Sequence, residues 1–186
     1  MPQPISYEAI RLQGPTGRLA DNIIKNWLIG LNETNPAILD IFRDRDVKPY
    51  RDLLPWSGEF AGKYITGAYY IWQITHNQEL YEYILRFIDQ FLACQAEDGY
   101  LGCFSKNCRL TGAFSQAPET TGATWDSWGH YHAMYGLMKW YEVTGNDAYW
   151  QAVLKIAGLF LNTFYNGKPT LVSTGWSEMN LAVLHT

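Results

Sequence analysis

The chain has 186 residues, of which 47% are apolar, 17% charged and 16% aromatic, and its net charge is −4. This length is that of one domain or of part of one. The high apolar and low charged content excludes an intrinsically disordered chain, and the acidic balance argues against a nucleic-acid partner. No run of about 18 apolar residues occurs, so the sequence predicts no contact with a membrane through a spanning helix.

The first residues and the cysteines bear on the compartment. Residues 1–4 (MPQP) lack the basic start and the apolar core of a signal peptide. Cys94, Cys103 and Cys108 are odd in number and have no CxxC spacing, so they predict neither a disulfide framework nor a metal site. We expect buried free thiols, no cofactor held by these residues, and a cytoplasmic location.

Hydrophobic periodicity predicts helices joined by loops along the whole chain. The predicted helices cover residues 18–31, 36–43, 59–74, 78–95, 128–143 and 147–164, and a last one starts near Ser177. Between them, residues 103–124 are rich in Gly, Ser and Thr and predict a long loop. Because the alternation typical of strands is scarce, the predicted fold class is all-α.

An internal repeat of 69 residues organises the central helices. Residues 75–77 (THN) and 144–146 (TGN) each join two predicted helices, and the same shift aligns Trp56 with Trp125. Turn residues and tryptophans are not the residues that helical periodicity repeats by itself. Each unit is therefore predicted to be a helical hairpin with a tight turn, followed by a long loop.

A third copy of the repeat begins at Trp176, and the run 179–184 repeats the apolar pattern of 134–138. The sequence reaches Thr186 inside this predicted helix, without a C-cap glycine or a partner helix. Helical hairpins bury their faces against neighbours on both sides. We therefore expect residues 1–186 to be the N-terminal portion of one larger toroid, cut off early, that self-associates through its open edge or is less stable than the longer chain.

The candidate site lies at the end of the toroid where each first helix begins and where the long loops return. Helix N-termini there gather unpaired N–H groups and partial positive charge. The unusual residues predicted at this end are Trp56, Glu59, Tyr100, Trp125, Asp126, His130, His132, Trp176 and Glu178. Indole rings beside carboxylates and imidazoles are typical of a site for a polyhydroxylated ligand, so the predicted partner is a carbohydrate. Paired carboxylates are also the groups that glycoside hydrolysis uses.

Several of these residues also have a structural interpretation, and at this point both stay open. Glu59 and Glu178 would complement the dipole of the helix that each begins. Asp126 would be a helix N-cap. Trp56 and Trp125 would pack between neighbouring hairpins.

The two histidines are two residues apart, so one helix does not place both on one face. One of His130 and His132 is therefore expected to be structural. Their spacing is not that of a zinc pair, and no HExxH motif occurs, so no metal site is predicted there. The repeats align Lys63, His132 and Glu178, which predicts a cation, an imidazole and a carboxylate in the first turns of three neighbouring helices.

Several segments resemble the N-terminal region of the β-L-arabinofuranosidase-like glycoside hydrolases, family 127 and its relatives. They are residues 58–64 (GEFAGKY), 98–102 (DGYLG), 128–132 (WGHYH), 140–145 (WYEVTG) and 175–179 (GWSEM). The resemblance covers residues 55–186. It implies an (α/α)6 barrel followed by β-sandwich domains, and cleavage of terminal arabinofuranosides with retention.

The resemblance also implies a cysteine nucleophile on a zinc site built from further cysteines and a glutamate in the later half of the barrel. Cys94, Cys103 and Cys108 do not match that motif. The expectation is therefore no zinc ligand, no identified catalytic residue and no turnover by residues 1–186 alone. The resemblance implies that the histidine opening the helix before WYEVTG lines the sugar pocket. In this sequence that residue is His132, and the GHYH segment leaves His130 as the alternative.

The predicted toroid and the family resemblance together imply an incomplete (α/α)6 barrel that carries substrate-lining residues of a glycoside hydrolase. An unsaturated glycuronyl hydrolase is an alternative, and it would need a catalytic acid near Asp126 and no metal. A non-enzymatic helical-repeat module is a second alternative. That module would present a polar, loop-lined concave face in place of a tryptophan-rich pocket.

Overall fold

The computed structural model describes residues 6–110 and 124–164, and all of the regular structure within those ranges is helical. The helices are a 3-10 turn (Tyr7–Ala9), α1 (Gly14–Ile23) with a π-helical continuation (Ile24–Ile29), α2 (Gly30–Thr34), α3 (Ala37–Arg43), α4 (Glu59–Thr75), α5 (Gln78–Leu92), α6 (Asp126–Thr144) and α7 (Asp147–Phe164). The predicted all-α class is confirmed. The helix predicted near Ser177 lies outside the described residues. In the described ranges, no helix combines the length and the hydropathy needed to cross a bilayer.

Two consecutive hairpins, α4 with α5 and α6 with α7, are joined by turns that lie 69 residues apart. His76 and Gly145 end the first helix of each hairpin in the left-handed conformation, with φ of 53° and 63°. Each N–H donates to the carbonyl four residues earlier, at 2.7 and 2.8 Å. A left-handed residue after the last turn is the usual way to satisfy helix-end carbonyls. The predicted repeat is therefore confirmed at its turns.

Threonine and asparagine side chains complete both turns in the same way. The hydroxyls of Thr75 and Thr144 each donate to the carbonyl four residues earlier, at 2.7 and 2.8 Å. The side chain of Asn77 caps α5 by accepting from an N–H three residues later, at 2.8 Å. That of Asn146 accepts from the N–H two residues later, at 3.1 Å. The THN and TGN segments are thus alike because they do the same hydrogen-bonding work.

The first helices of the two hairpins, α4 and α6, form the most extensive helix contact in the described ranges. Glycine permits their close approach. A Cβ added to Gly62 would lie under 3.0 Å from the backbone of His132, and one added to Gly136 would lie 2.5 Å from a side-chain carbon of Ile65. The indole Nε1–H of Trp140 also donates across the contact to the Ile65 carbonyl, at 2.8 Å. The two helices therefore pack closely at both places, against backbone at Gly62 and against a side chain at Gly136.

The outer helices α5 and α7 bury one apolar stripe each against this pair. The stripe of α5 contains Leu80, Ile84, Phe87, Ile88 and Phe91, and that of α7 contains Tyr149, Ala152, Val153, Ile156 and Phe160. The α5 stripe is the one that the spacing of apolar residues indicates. The arrangement has the two layers of a helical barrel segment, with α4 and α6 inside and α5 and α7 outside.

An exposed apolar groove of about 540 Å³ lies between the α1–α3 region and α4. Its walls include Trp27, Leu31 and Phe60, whose exposed fractions are 53%, 37% and 49%. The sequence predicted the open edge elsewhere, on residues 177–186 and part of 128–164. The first of those ranges lies outside the described residues, so self-association through that edge stays a prediction.

The glycine contact makes a direct prediction about stability. Gly62→Ala places a methyl group against the backbone of His132, where no flexible side chain can give way. We expect the free energy of unfolding to fall by roughly 1–3 kcal/mol, measured by urea denaturation. Gly67→Ala on the same helix is the matched control, because nothing lies within 4 Å of its added Cβ. That change should stabilise the chain by about 0.5–1 kcal/mol. Equal responses of the two variants would contradict the tight contact.

Candidate functional site

Residues 98–102 form a tight turn that fixes the loop after α5. The N–H of Tyr100 donates to the side chain of Asp98 at 3.1 Å, and Gly99 has a φ of 95°. A Cβ on Gly99 would lie under 3.0 Å from the backbone of Lys155 in α7, and one on Gly102 would meet the Tyr100 hydroxyl at a similar distance. The DGYLG segment is therefore shaped by packing, with glycines where neighbouring groups leave no room.

Tyr100, Asp126 and His130 form a buried polar network beneath this loop, with exposed fractions of 0%, 2% and 0%. The Tyr100 hydroxyl donates to Asp126 Oδ1 at 2.6 Å, and Asp126 Oδ2 accepts from the N–H of Leu110 at 2.7 Å. His130 Nε2 accepts from the N–H of Leu101 at 2.9 Å, and its Nδ1 lies 2.7 Å from the Asp126 carbonyl oxygen. These partners require a neutral imidazole with its proton on Nδ1.

Burial keeps two members of this network neutral. It lowers the pKa of His130 and raises the pKa of Tyr100 well above its ordinary value. Asp126 is not the N-cap of α6, because that position belongs to Trp125 and the carboxylate is used by the loop. All three residues thus hold the loop against α6. A direct contact of any of them with a ligand stays a prediction.

A second cluster, the α4–α6 cluster, contains Glu59 and Lys63 of α4 and Trp128 and His132 of α6. Glu59 is 7% exposed, and its Oε1 lies 2.7 Å from the Lys63 ammonium. Its Oε2 accepts the indole Nε1–H of Trp128. The Trp128 and His132 rings meet edge to face, with centroids 4.6 Å apart and planes at 88°. The cluster therefore links the N-terminal ends of the two inner helices.

His132 differs from His130 in its hydrogen bonding. Its Nε2 is buried, and no described residue forms a hydrogen bond with it. Desolvation, followed by repulsion from Lys63, lowers the pKa of His132 to about 4, although Glu59 acts in the opposite direction. The ring is therefore neutral at physiological pH, and its Nε2 has no hydrogen-bond partner among the described residues. Of the two histidines, His130 is the structural one.

The structure places the other predicted residues as follows. The rings of Trp56 and Trp125 lie 5.4 Å apart, so they pack between the hairpins as their structural interpretation expected. Lys63 and His132 lie in the second turns of their helices, not in the first, because α4 begins at Glu59 and α6 begins at Asp126. Trp176 and Glu178 are outside the described residues, and their part in the site stays a prediction.

Trp128 is missing from the site residues that the sequence predicted, although it touches three other members of the cluster. Its indole N–H donates a hydrogen bond to Glu59. Its ring packs against His132, and its ring centroid lies 5.8 Å from the Lys63 ammonium. The signal was present in the sequence, because the 69-residue shift aligns Glu59 with Trp128. Neighbouring inner helices bring such equivalent positions together.

The described residues do not fit the zinc site that the family resemblance implies. In residues 6–110 and 124–164, no group of three or more His, Cys, Asp or Glu side chains could hold a metal ion. Cys94, Cys103 and Cys108 are buried, and no disulfide joins them. Burial raises the pKa of the Cys94 thiol and raises that of Cys103 well above its ordinary value. Protonated thiols are poor metal ligands and poor nucleophiles.

Comparison with known proteins places the chain in a family. The model of the β-L-arabinofuranosidase GH127 catalytic domain matches residues 30–186. The chain belongs to this family. A solved GH127 β-arabinofuranosidase, BT3674, is similar with a TM-score of 0.65 and 16% identity, over 86% of this chain and 27% of that one. At that identity the likeness shows the fold alone, and this chain spans about a quarter of the solved relative's length. No curated protein matches the chain.

The buried network generates a prediction about the loop. Tyr100→Phe removes the hydroxyl that Asp126 accepts and leaves a buried carboxylate oxygen without that partner. We expect the free energy of unfolding to fall by about 1.5–3 kcal/mol in chemical denaturation, because hydrogen bonds to charged groups are the stronger ones. Tyr141→Phe is the control, since that ring stacks on Trp150 and is only partly buried. A loss no larger than the control's would contradict the role given to the Tyr100 hydroxyl.

The charge environment of His132 generates a prediction about pH. Its folded pKa of about 4 lies below the ordinary 6.5, so the unfolded chain binds the proton more tightly. Its contribution to stability should therefore decline as the pH falls from 6.5 towards 4.

Lys63→Met should raise the pKa of His132, read from the His132 Cε1–H resonance in an NMR titration. Lys139→Met, also on an inner helix, should leave it unchanged. A wild-type midpoint near 6.5 would contradict the burial of the ring.

Proposed function

We propose that residues 1–186 form part of the sugar-binding pocket of a glycoside hydrolase that acts on terminal arabinofuranose-type sugars. Membership of the GH127 catalytic domain family supports the reaction class. The observation that carries the site is His132, a neutral imidazole whose buried Nε2 has no hydrogen-bond partner among the described residues. It stands beside Trp128 at the end where α4 and α6 begin.

The chemistry of the α4–α6 cluster suits a neutral polyhydroxylated ligand. A neutral imidazole can donate or accept a hydrogen bond, so it can meet a sugar hydroxyl in either sense. The rings of Trp128 and Tyr131 lie next to it and offer flat apolar surface for the C–H faces of a sugar. The Lys63 ammonium is paired with Glu59, so the site has no need of a negatively charged ligand.

The described carboxylates are poor candidates for the catalytic pair. Glu59 is bound by Lys63 and Trp128, and Asp126 by Tyr100 and Leu110. We therefore assign neither of them as acid, base or nucleophile. In this proposal the catalytic groups, and any zinc that they hold, belong to residues other than those described. The absence of turnover by residues 1–186 alone stays a prediction.

The structure weighs against both alternative functions. An unsaturated glycuronyl hydrolase would need a catalytic acid near Asp126, but that carboxylate is 2% exposed and accepts two hydrogen bonds from the protein. A non-enzymatic repeat module would present a polar concave face. The inner helices instead carry an aromatic run that continues from the cluster through Tyr131 and Tyr135 to Tyr70. The arabinofuranosidase-type proposal needs no catalytic role for Asp126, and it uses the aromatic run as a surface for the sugar.

Titration with methyl β-L-arabinofuranoside, followed by tryptophan fluorescence and NMR, tests the proposal. We expect His132→Ala to raise the dissociation constant about tenfold, because one hydrogen bond is worth about 1.4 kcal/mol. His76→Asn is the matched control, since His76 is exposed at the opposite end of α4 and Asn accepts its positive φ. An unsaturated glucuronide should bind more weakly. Tighter binding of the uronide, or no effect of His132→Ala, would contradict the proposal.

A further inference from the structure

We propose that Glu59 is a positioning residue that sets the orientation of the His132 ring through the indole of Trp128. The inference rests on the proposed function only in giving His132 a ligand to meet. Its geometry is independent of that function. Three side chains, from two helices, form the chain of contacts that carries it.

No hydrogen bond from a described residue orients the His132 ring. Within the described ranges its Nε2 has no hydrogen-bond partner, and its ring packs against aromatic rings, with centroid distances of 4.6 Å to Trp128 and 4.9 Å to Tyr131. A histidine in a functional site is usually held by a carboxylate or a carbonyl on its second nitrogen. Here packing against neighbouring rings holds the imidazole in place. The orientation of the His132 ring therefore depends on the orientation of the aromatic rings beside it.

The indole of Trp128 is in turn fixed by Glu59. Its Nε1–H donates to Glu59 Oε2 across the contact between α6 and α4. The acceptor is charged and 7% exposed, which makes this a strong hydrogen bond in a site that excludes most water. Trp128 meets His132 at 88°, so rotation of the indole would remove the surface against which the imidazole rests.

Two further features hold Glu59 itself. It is the first residue of α4, where the helix dipole favours a carboxylate. Its other oxygen lies 2.7 Å from the Lys63 ammonium, one turn later on the same helix. Both carboxylate oxygens are thus used, one to anchor the side chain and the other to hold the indole.

Glu59→Ala and Glu59→Gln separate this role from a general effect of charge. The amide oxygen of Gln can still accept the indole N–H, whereas Ala cannot. In the wild-type chain without ligand, NMR reads the Trp128 Nε1–H and the His132 Cε1–H resonances. We expect both to move towards their values in unfolded peptides in Glu59→Ala, and to stay near the wild-type values in Glu59→Gln. Affinity for methyl β-L-arabinofuranoside should fall about tenfold in the first variant and change less than about twofold in the second.

Glu142→Ala is the matched control, because it removes an exposed glutamate that pairs with Lys139 on an inner helix but meets no indole. It should move neither resonance. If Glu59→Ala does not fold, Trp128→Phe tests the same hydrogen bond from the other partner, since it keeps an aromatic ring but removes the N–H. The His132 resonance should move there too.

Unchanged resonances in Glu59→Ala would overturn the inference. So would a Glu59→Gln variant that behaves like Glu59→Ala, because the ion pair with Lys63 would then be the feature that matters. The resonances are read without a sugar, so the two proposals fail separately. If the resonances respond as expected but the wild-type chain binds no arabinofuranoside, the positioning of His132 stands and the proposed function fails.

Discussion

Glycines let the backbones of α4 and α6 approach closely, and the candidate site depends on this short distance between the two helices. A Cβ on Gly129 would lie 3.2 Å from the carbonyl carbon of Gly58, and one on Gly62 would be closer still to the backbone of His132. Glycine in a helix costs up to about 1 kcal/mol relative to alanine, so close packing must offset this. The approach brings the carboxylate of Glu59 within hydrogen-bonding reach of an indole on the next helix. Larger residues at these positions would separate the two halves of the cluster.

The two faces of α6 carry different tasks, and the spacing of its histidines divides them. His130 faces the loop and α7, where it packs on Phe160 at 5.3 Å and uses both ring nitrogens. His132 lies on the α4 side, and its Nε2 forms no hydrogen bond with any residue that the structure describes. One helix thus anchors the loop on one face and presents a neutral imidazole on the other.

Much of the fold follows from local sequence signals, but the site does so only in part. Helical periodicity and the repeated THN and TGN turns indicate the two hairpins, since left-handed caps and threonine hydroxyls act within a few residues. The i, i+2 spacing predicted that one histidine is structural. It did not predict which, because the burial of His130 depends on a loop 29 residues away. The bond between Glu59 and Trp128 likewise depends on the distance between two helices. No local sequence pattern predicts that distance, and only the alignment of Glu59 with Trp128 by the 69-residue repeat indicates that the two residues are close.

The electrostatics of the cluster follow from the same packing. Glu59 tolerates burial because the start of α4, the Lys63 ammonium and the Trp128 N–H all stabilise its negative charge. The same contact pairs the Lys63 ammonium with a carboxylate of the protein. His132, desolvated beside this pair, stays neutral because protonation would add a second cation next to Lys63. The site therefore offers hydrogen bonds without a free charge. A neutral sugar can use such a site, whereas a uronate would enter it without a cation to pair with. This difference supports the proposal of a neutral furanoside as the ligand.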